Sequence, residues 1–214
     1  MATEASRHTV APPAPAGRRV RHRASRRQTR ERIVAATEEL VRERTYAELS
    51  VDEVMRKAGL GRTIFYRHFD DLGDLLRRAG RAAIDELYNA QQRLGQARPD
   101  QDPDAVRRAL QAAVDVYQRH GPLLRGIAEA AASDPDIARG YAAMRQRFDD
   151  FAEQSLRGLA DLARTPAADV GETARALNRM NESYLLEAFG RQPRISPEIA
   201  VRTLTEIWEA FIRR

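Results

Sequence analysis

The chain of 214 residues contains no cysteine, and only 6% of its residues are aromatic. The absence of cysteine excludes a disulfide framework, a thiolate nucleophile and every zinc or iron–sulfur site with cysteine ligands. No stretch approaches the roughly 18 to 20 consecutive apolar residues that span a bilayer, and the N-terminus lacks the apolar core of a signal peptide. We therefore expect a cytoplasmic protein without a membrane partner.

Motifs for catalysis are also absent. The four histidines, His8, His22, His68 and His120, are scattered along the chain. No H-E-x-x-H, phosphate-binding loop, G-x-S-x-G or paired-carboxylate arrangement occurs. We expect no catalytic residue, no metal site, no cofactor and no enzymatic activity.

The positive charge is concentrated at the N-terminus. Residues 1–32 carry nine arginines against Glu4 and Glu31, a balance of +7, so the rest of a chain of net charge +5 totals −2. A basic arm on a slightly acidic body is typical of a segment that binds a polyanion, because each neutralised phosphate releases counterions. The alternative is a solvated tail that only keeps the protein soluble.

Composition and periodicity divide the chain into three parts. Residues 1–26 have almost no large apolar side chains and are predicted to be a disordered basic arm. Residues 27–70 predict a small domain of three helices, and residues 71–214 predict a larger domain of about six helices. No segment alternates like a strand, so the predicted fold is all-α, with helices at about 28–44, 51–58, 62–68, 71–94, 104–119, 122–132, 135–163, 170–189 and 197–213.

Local signals mark a corner between the second and third helices. Ser50 and Glu53 form an S-x-x-E capping box, and Gly59 provides a stop at the C-terminus of that helix. A long helix followed by two short ones across a glycine-containing turn predicts a helix-turn-helix. Phe65 and Phe69 are expected to face the first two helices.

The order of these residues resembles the TetR family of transcriptional repressors. The similar stretches are "IVAATEELV" (33–41), Tyr46, "SVDEVMRKAGLG" (50–61) and "TIFYRHF" (63–69). The resemblance implies a recognition helix that enters the major groove of operator DNA. The DNA-contacting positions that it implies, together with the arginines of the basic arm, are Arg62, Thr63, Ile64, Tyr66, Arg67, His68, Ser50, Arg18, Arg19, Arg21, Arg23, Arg26 and Arg27.

Two positions depart from the family pattern. Gly61 stands where the family commonly has serine at the start of the third helix. "FDDL" (69–72) replaces an ending in which the fourth residue is a lysine that often contacts phosphate, and the two aspartates add repulsion. The arginine arm is expected to compensate by following the DNA backbone or entering the minor groove.

The C-terminal part resembles ethionamide-type (EthR-like) repressors in "ALNRMNESYLLEAF" (176–189) and "TEIWEAFI" (205–212). The resemblance implies a long apolar pocket lined by the asparagines and the tryptophan. Independently, the spacing of Asn178 and Asn181 sets two amides on an apolar helix face, where each needs a hydrogen-bonding partner. The predicted ligand contacts are Tyr117, Tyr141, Met144, Phe148, Phe151, Asn178, Asn181, Leu186 and Trp208.

Each of these residues also has a structural alternative. The amides could bond each other, a backbone carbonyl or a dimer mate, and the aromatic residues could simply pack in the core. Helices 170–189 and 197–213 are predicted to form a four-helix bundle with a second copy of the chain, as in the family. We therefore expect a homodimeric repressor that binds a palindromic operator and is released by a small, largely apolar effector.

A second interpretation remains open at this point. The chain could be a DNA-binding regulator, or an activator, whose C-terminal part serves only dimerisation or protein contacts. A well-packed core without a cavity of several hundred Å³ would favour that interpretation.

Overall fold

The computed structural model describes the backbone of residues 16–96, 102, 104–163 and 169–212, and the side chains of these residues except 16–24, 94–95, 158–163 and 212. The described residues form eight α-helices and one turn of 3₁₀-helix, Tyr46–Glu48, and contain no strand, which confirms the all-α prediction. The α-helices are α1 (Ala16–Glu43), α2 (Val51–Lys57), α3 (Arg62–Phe65), α4 (Leu72–Gly95), α5 (Ala105–Ala131), α6 (Pro135–Ala163), α7 (Val170–Phe189) and α8 (Pro197–Ile212).

The first helix starts earlier than predicted. It begins at Ala16, so the backbone of residues 16–26, expected to be disordered, is helical. Arginine, alanine and glutamine have high helix propensity, and no proline follows Pro15 in this stretch. Low hydrophobicity therefore did not prevent helix formation here, and the rest of the predicted arm, residues 1–15, lies outside the described residues.

One long helix replaces two predicted ones. The break expected at "HGP" (120–122) does not occur, because α5 continues through Pro122 to Ala131. Proline in a helix interior removes one backbone hydrogen bond, so its retention requires compensation by packing. Gly121, Pro122, Leu123 and Leu124 are all buried, which provides that packing. Among its described residues, the C-terminal part thus has five helices instead of about six.

Helices α1 to α3 enclose the small core that the sequence predicted. Ile33, Val54, Phe65 and Phe69 are at most 1% exposed and form one cluster. The corner after α2 closes with two backbone bonds, from Leu60 N–H to the carbonyl of Met55 and from Gly59 N–H to that of Arg56. Gly59 has φ of +65°, the left-handed conformation that such a helix ending requires.

Two leucines join this core to the rest of the molecule. Leu40 and Leu72 pack against the small core and also against a second cluster that contains Val41, Leu76 and Leu123. The predicted domain boundary at residue 70 stays a prediction, because apolar packing continues across it.

A buried arginine provides the polar part of the same junction. Arg125 of α5 is 9% exposed, and its Nη2 donates to the carbonyls of Val41 and Arg44 at the end of α1. Its Nε donates to the carbonyl of Gly190, just after α7, at 2.7 Å. Nη1 pairs with Glu129, whose carboxylate also accepts the N–H of Tyr46 at 3.0 Å. The carbonyls at the C-termini of α1 and α7 are thereby satisfied by one side chain.

The C-terminal helices surround the largest core cluster. Helix α5 runs through its centre and contacts α4, α6, α7 and α8. Buried residues of this cluster include Leu110, Val114, Leu185, Phe189 and Leu204. Within the described part of the chain, no helix is long and apolar enough to cross a membrane.

The conformation of Gly59 leads to a stability prediction. Replacing Gly59 with alanine should lower the free energy of unfolding by roughly 1–2 kcal/mol, because a Cβ is disfavoured in the left-handed region. The added Cβ would also lie 3.3 Å from Nη2 of Arg32. Urea denaturation followed by circular dichroism measures the change.

Gly61→Ala is the matched control for Gly59→Ala. Gly61 has φ of −78°, and an added Cβ there would have no neighbour within 4 Å. Its free energy of unfolding should change by less than about 0.5 kcal/mol, because reduced freedom of the unfolded chain offsets the poorer N-cap. Equal effects at the two glycines would contradict this explanation.

Candidate functional site

The third helix, predicted at about 62–68, ends at Phe65 and continues as a turn, and the helix and turn together have a buried back and an exposed front. Phe65 and Phe69 are 0% and 1% exposed and contact each other with ring centroids 5.5 Å apart. Arg62, Thr63 and Arg67 are exposed, and Tyr66 is 52% exposed. The orientation of these side chains is as predicted, and an exposed row of hydrogen-bond donors on a short helix is suited to DNA bases and phosphates.

Arg62 is held by two neighbours. Its Nη1 lies 2.7 Å from Oδ2 of Asp52, and its Nη2 donates to the hydroxyl of Tyr66 at 3.1 Å. All three side chains are exposed. Because exposed ion pairs contribute little stability, the guanidinium can exchange Asp52 for a DNA acceptor at small cost.

Ile64 and Ser50 have structural contacts of their own. Ile64 is half-buried and packs against the small core, so only part of its side chain faces outward. The Ser50 hydroxyl caps α2 by accepting the N–H of Glu53 at 3.3 Å and donates to the Glu53 carboxylate at 2.9 Å. This bond from Ser50 lowers the pKa of Glu53. Both residues therefore stabilise the fold whatever they contact on DNA.

His68, in the turn after α3, is influenced by charges of the first helix. Its pKa lies below the usual 6.5, first because of partial burial and then because of the charges of Arg30, Arg26 and Arg67. The influence of Arg26 and Arg30 on His68 indicates that α1 brings these arginines to the same end of the molecule. The two are four residues apart and so lie on one side of α1.

The remaining arm residues are only partly described. Arg26 and Arg27 are exposed, and Arg27 forms an exposed ion pair with Glu31 at 2.7 Å. The side chains of the other four predicted arm residues, Arg18, Arg19, Arg21 and Arg23, lie outside the described residues, although their backbone belongs to α1.

The "DDL" departure has a structural explanation. Asp71 caps the start of α4 by accepting the N–H of Asp74 at 2.6 Å. Asp74 accepts the N–H of Asp70 at 3.2 Å and pairs with Arg78 at 2.8 Å. Leu72 packs against both clusters at the junction between the domains. Of the two aspartates that add repulsion towards phosphate, Asp71 therefore serves to begin α4 with its side chain, whereas Asp70 contributes its backbone N–H.

A cavity of about 110 Å³ lies in the C-terminal domain between α4, α5, α6, α7 and α8. It is smaller than several hundred Å³ and of the same order as the ~150 Å³ cavities that bind benzene. Its wall is formed by Ile84, Leu87, Ala90, Gln91, Ala109, Leu110, Ala113, Tyr117, Leu124, Ile127, Tyr141, Met144, Arg145, Phe148, Asn178, Arg179, Asn181, Glu182, Leu185, Leu186 and Trp208.

The wall includes eight of the nine residues predicted as ligand contacts: Tyr117, Tyr141, Met144, Phe148, Asn178, Asn181, Leu186 and Trp208. Phe151 is not among the wall residues. It lies three residues beyond Phe148 on α6, which displaces it by about 4.5 Å along the helix axis. The spacing of the aromatic residues indicated the helix face, but it did not indicate where along the helix the cavity ends.

The two amides have defined orientations. Asn178 donates its Nδ2 to Asp149 at 3.0 Å, because a carboxylate only accepts. Asn181 accepts from Nε1 of Trp208 at 3.3 Å, because an indole nitrogen only donates. These two bonds do not use the oxygen of Asn178 or the NH₂ of Asn181. The pair can therefore bind a group that donates to one residue and accepts from the other.

The sequence did not predict the ionised residues around the amides. Asp149, with its side chain 6% exposed, pairs with Arg179 at 2.7 Å. Arg145 lies with its Nε 3.0 Å from Oε2 of Glu182, although the angle does not allow a hydrogen bond. One pattern in the sequence could have identified these ionised residues. Opposite charges occur at helical spacing on α6 and α7, and those on α7 lie beside Asn178 and Asn181.

Two tyrosines contribute neutral hydroxyls to this region. Burial is the main cause of the raised pKa values of Tyr117 and Tyr141, and the bond from the Tyr141 hydroxyl to Glu182 adds to the second shift. Both hydroxyls therefore keep their protons at physiological pH. Among the described residues, no group of three or more metal-ligating side chains comes together.

Two family profiles match the chain. The profile for bacterial regulatory proteins of the tetR family matches residues 33–79, and the profile for the C-terminal domain of the transcriptional regulator EthR matches residues 106–212. The first contains α2, α3 and most of the small core. The second contains most of the cavity wall.

Related proteins agree with both profiles. The chain is 28% identical over 180 residues to the HTH-type transcriptional regulator EthR of Mycolicibacterium smegmatis, with 82% of each chain covered. It is 27% identical over 183 residues to EthR of Mycobacterium tuberculosis, with 84% of this chain and 85% of the other covered.

Solved structures share the fold at lower identity. The TetR family regulator PfmR of Thermus thermophilus superposes with a TM-score of 0.68 at 21% identity, covering 86% of this chain and 95% of its own. NalD, the secondary repressor of the MexAB-OprM multidrug efflux pump of Pseudomonas aeruginosa, superposes with a TM-score of 0.64 at 20% identity, covering 87% of this chain and 96% of its own.

These matches confirm a transcriptional regulator rather than an enzyme. The helix-turn-helix with its exposed donors and the C-terminal helices around a cavity lie in the segments matched by the two profiles. The chain belongs to the TetR family of bacterial regulatory proteins and has a C-terminal domain of the EthR type.

Proposed function

We propose that the protein is a ligand-responsive repressor that binds a palindromic operator as a homodimer and leaves it when a small, largely apolar effector enters the C-terminal cavity. The observation that carries the proposal is Arg125, which ties α5 and the end of α7, both around the cavity, to the end of α1. Through the hydrogen bonds of this residue, a change in the shape of the cavity reaches the DNA-facing domain directly.

On DNA, α3 enters the major groove. Arg62 and Thr63 lie nearest the base edges, with the exposed part of Ile64 beside them, and a guanine is the base that an arginine reads best. Tyr66, Arg67, His68 and the N-terminus of α2 at Ser50 contact phosphates. Arg26, Arg27 and the arginines at 18, 19, 21 and 23 continue along the backbone on the N-terminal part of α1.

A second copy of the chain packs against α7 and α8. Ile199 and Ile207, 42% and 39% exposed, are two of the three exposed large hydrophobic side chains among the described residues, and both lie on α8. Pairing these helices buries them in a four-helix bundle. The two recognition helices then enter successive major grooves, roughly 34–36 Å apart.

The effector acts by shifting populations. An effector that binds more tightly to one arrangement of α5 and α7 favours that arrangement over the one that fits DNA. The loss of DNA affinity equals the difference between its binding free energies for the two states, typically about 1–3 kcal/mol.

The second candidate is a regulator without ligand gating. The cavity volume of about 110 Å³, below the several hundred Å³ of most ligand pockets, favours this candidate. The two candidates differ in one measurable property, which is the release of DNA by a compound that binds the cavity.

The direct test uses the full chain and DNA from upstream of its own gene. Footprinting identifies the protected segment, and fluorescence anisotropy with that segment measures affinity and salt dependence. Compounds that raise the melting temperature are then added to the complex. Palindromic protection and release by such a compound are expected, whereas binding of compounds without any release would overturn ligand gating.

The basic helix should determine the salt dependence of binding. Replacing Arg26 and Arg30 with glutamine should reduce the slope of log affinity against log salt by up to about 1.8, because each lost phosphate contact contributes about 0.9. The matched control replaces Arg107 and Arg139, exposed arginines of the C-terminal domain, with glutamine. The same slope in both double variants would exclude phosphate contacts by the two α1 arginines.

His68 should make DNA affinity dependent on pH. Its pKa in the free protein is lowered, and a nearby phosphate raises it in the complex, so binding takes up a proton. Affinity is highest below the free-state pKa and falls as the pH rises through the higher pKa of the complex. Each pKa unit of difference between the free protein and the complex changes the DNA affinity by up to about tenfold.

Anisotropy titrations between about pH 8 and about pH 5 measure this effect of His68. His68→Gln should remove most of the pH dependence while leaving affinity near pH 8 within about twofold, since the histidine is neutral there. A variant with the pH dependence of the unmodified protein would show that another group titrates.

Asn181 should set the sensitivity to effector. Asn181→Asp keeps an oxygen for Trp208 Nε1 but removes the NH₂ donor, so the effector concentration for half-release of DNA should rise about tenfold. Asn89→Asp makes the same chemical change at an exposed position of α4 and should have no effect. An unchanged half-release concentration in Asn181→Asp would exclude Asn181 as a ligand contact.

A further inference from the structure

Tyr117 is a residue of the cavity wall. Tyr117 belongs to α5 and is 8% exposed. Within the part of the chain that the structure describes, its hydroxyl has no hydrogen-bond partner. Tyrosine hydroxyls normally have a partner when buried, because an unpaired donor loses its bonds to water without replacement.

The surroundings of Tyr117 are polar but already paired. The hydroxyl of Tyr141 donates to Oε1 of Glu182, and Oε2 of Glu182 lies 3.0 Å from Nε of Arg145. Burial is the main cause of the raised pKa of Tyr117, and the charges of Glu182 and Arg145 act on that pKa in opposite directions. The Tyr117 hydroxyl is therefore a donor without a partner among the described residues, beside a cluster in which Tyr141 is bonded to Glu182.

The ionised groups on the wall balance each other. Arg145, Arg179 and Glu182 are the three ionised side chains of the wall. Arg145 faces Glu182, and Arg179 faces the buried Asp149. A charged compound would have to break one of these pairs or remain without a counterion in a desolvated site.

We propose that Tyr117 selects the effector: the cavity takes an uncharged, ring-sized apolar compound with a carbonyl or ether oxygen that accepts from the Tyr117 hydroxyl. This inference rests on the ligand-responsive function proposed above and specifies the chemical class of the effector. It adds a contact on α5 to the pair of amides on α7, so the effector bridges the two helices that Arg125 ties to α1.

The experiment uses two probes that differ at one position. Cyclopentanone has a carbonyl oxygen where methylenecyclopentane has a CH₂ group, and both are close to benzene in size. Binding to the full-length protein is measured by ligand-observed NMR titration for the unmodified protein, Tyr117→Phe and Tyr184→Phe. Tyr184 lies on α7 and is not part of the cavity wall, so its variant is the matched control.

The unmodified protein and Tyr184→Phe should bind cyclopentanone about five- to tenfold more tightly than the hydrocarbon. In Tyr117→Phe the two probes should bind with equal affinity, and binding of the hydrocarbon should not weaken. The melting temperature of Tyr117→Phe should change little, because the hydroxyl makes no hydrogen bond to the described residues that the substitution would remove.

The outcomes separate the inference from the function on which it rests. Binding of both probes with the same preference in Tyr117→Phe as in the unmodified protein would overturn the role of Tyr117 and leave ligand gating intact. Failure of both probes to bind the unmodified protein would count against the ligand-responsive function itself.

A charged probe tests the second half of the proposal. Cyclobutanecarboxylate is similar in size to cyclopentanone but carries a negative charge. It should bind at least about tenfold more weakly than cyclopentanone, because the wall offers no unpaired cation. Equal or tighter binding of the carboxylate would overturn the assignment of an uncharged effector.

Discussion

The buried guanidinium of Arg125 links α5 to the C-terminal ends of α1 and α7. Helix C-termini leave carbonyl groups without partners, and burying such ends is unfavourable unless a donor reaches them. Arg125 donates to the carbonyls of Val41 and Arg44 at the end of α1 and of Gly190 after α7. Its own charge is balanced by Glu129. The orientation of the DNA-facing domain therefore depends on a side chain that belongs to the domain with the cavity.

Close backbone contact makes this junction rigid. A Cβ on Gly121 of α5 would lie 2.2 Å from the carbonyl oxygen of Phe189, and one on Gly190 would lie 3.1 Å from Cδ of Arg125. Neither position has room for a larger side chain, and sliding α5 past the end of α7 would break the bond from Arg125 to Gly190. Under the proposed function, a compound that changes the distance between α5 and α7 would act on these bonds directly. This geometry favours a shift between discrete arrangements over a gradual deformation.

Local features of the sequence predicted local features of the structure. The Ser50 cap, the left-handed Gly59 and the split between Phe65 and Tyr66 follow from signals within a few residues. The continuity of α5 through Pro122 could not be predicted in this way, because its compensation comes from packing against distant helices. The same limit applies to Asn178, whose partner Asp149 lies on another helix. A polar residue on an apolar face indicates that a partner is needed but does not identify it.

At the end of the helix-turn-helix motif, position 72 packs in the core and so cannot also carry a lysine that contacts phosphate. In the family pattern a lysine after the aromatic residue often contacts phosphate, whereas here Leu72 packs in both clusters at the junction. Asp71 begins α4 beside it, so the segment contributes to the connection between domains instead of to DNA affinity. The positive charge then has to come from another element, and α1 brings Arg26 and Arg30 near His68. Because α1 also ends at the carbonyls bound by Arg125, the helix that carries Arg26 and Arg30 is also the one that Arg125 holds at its other end.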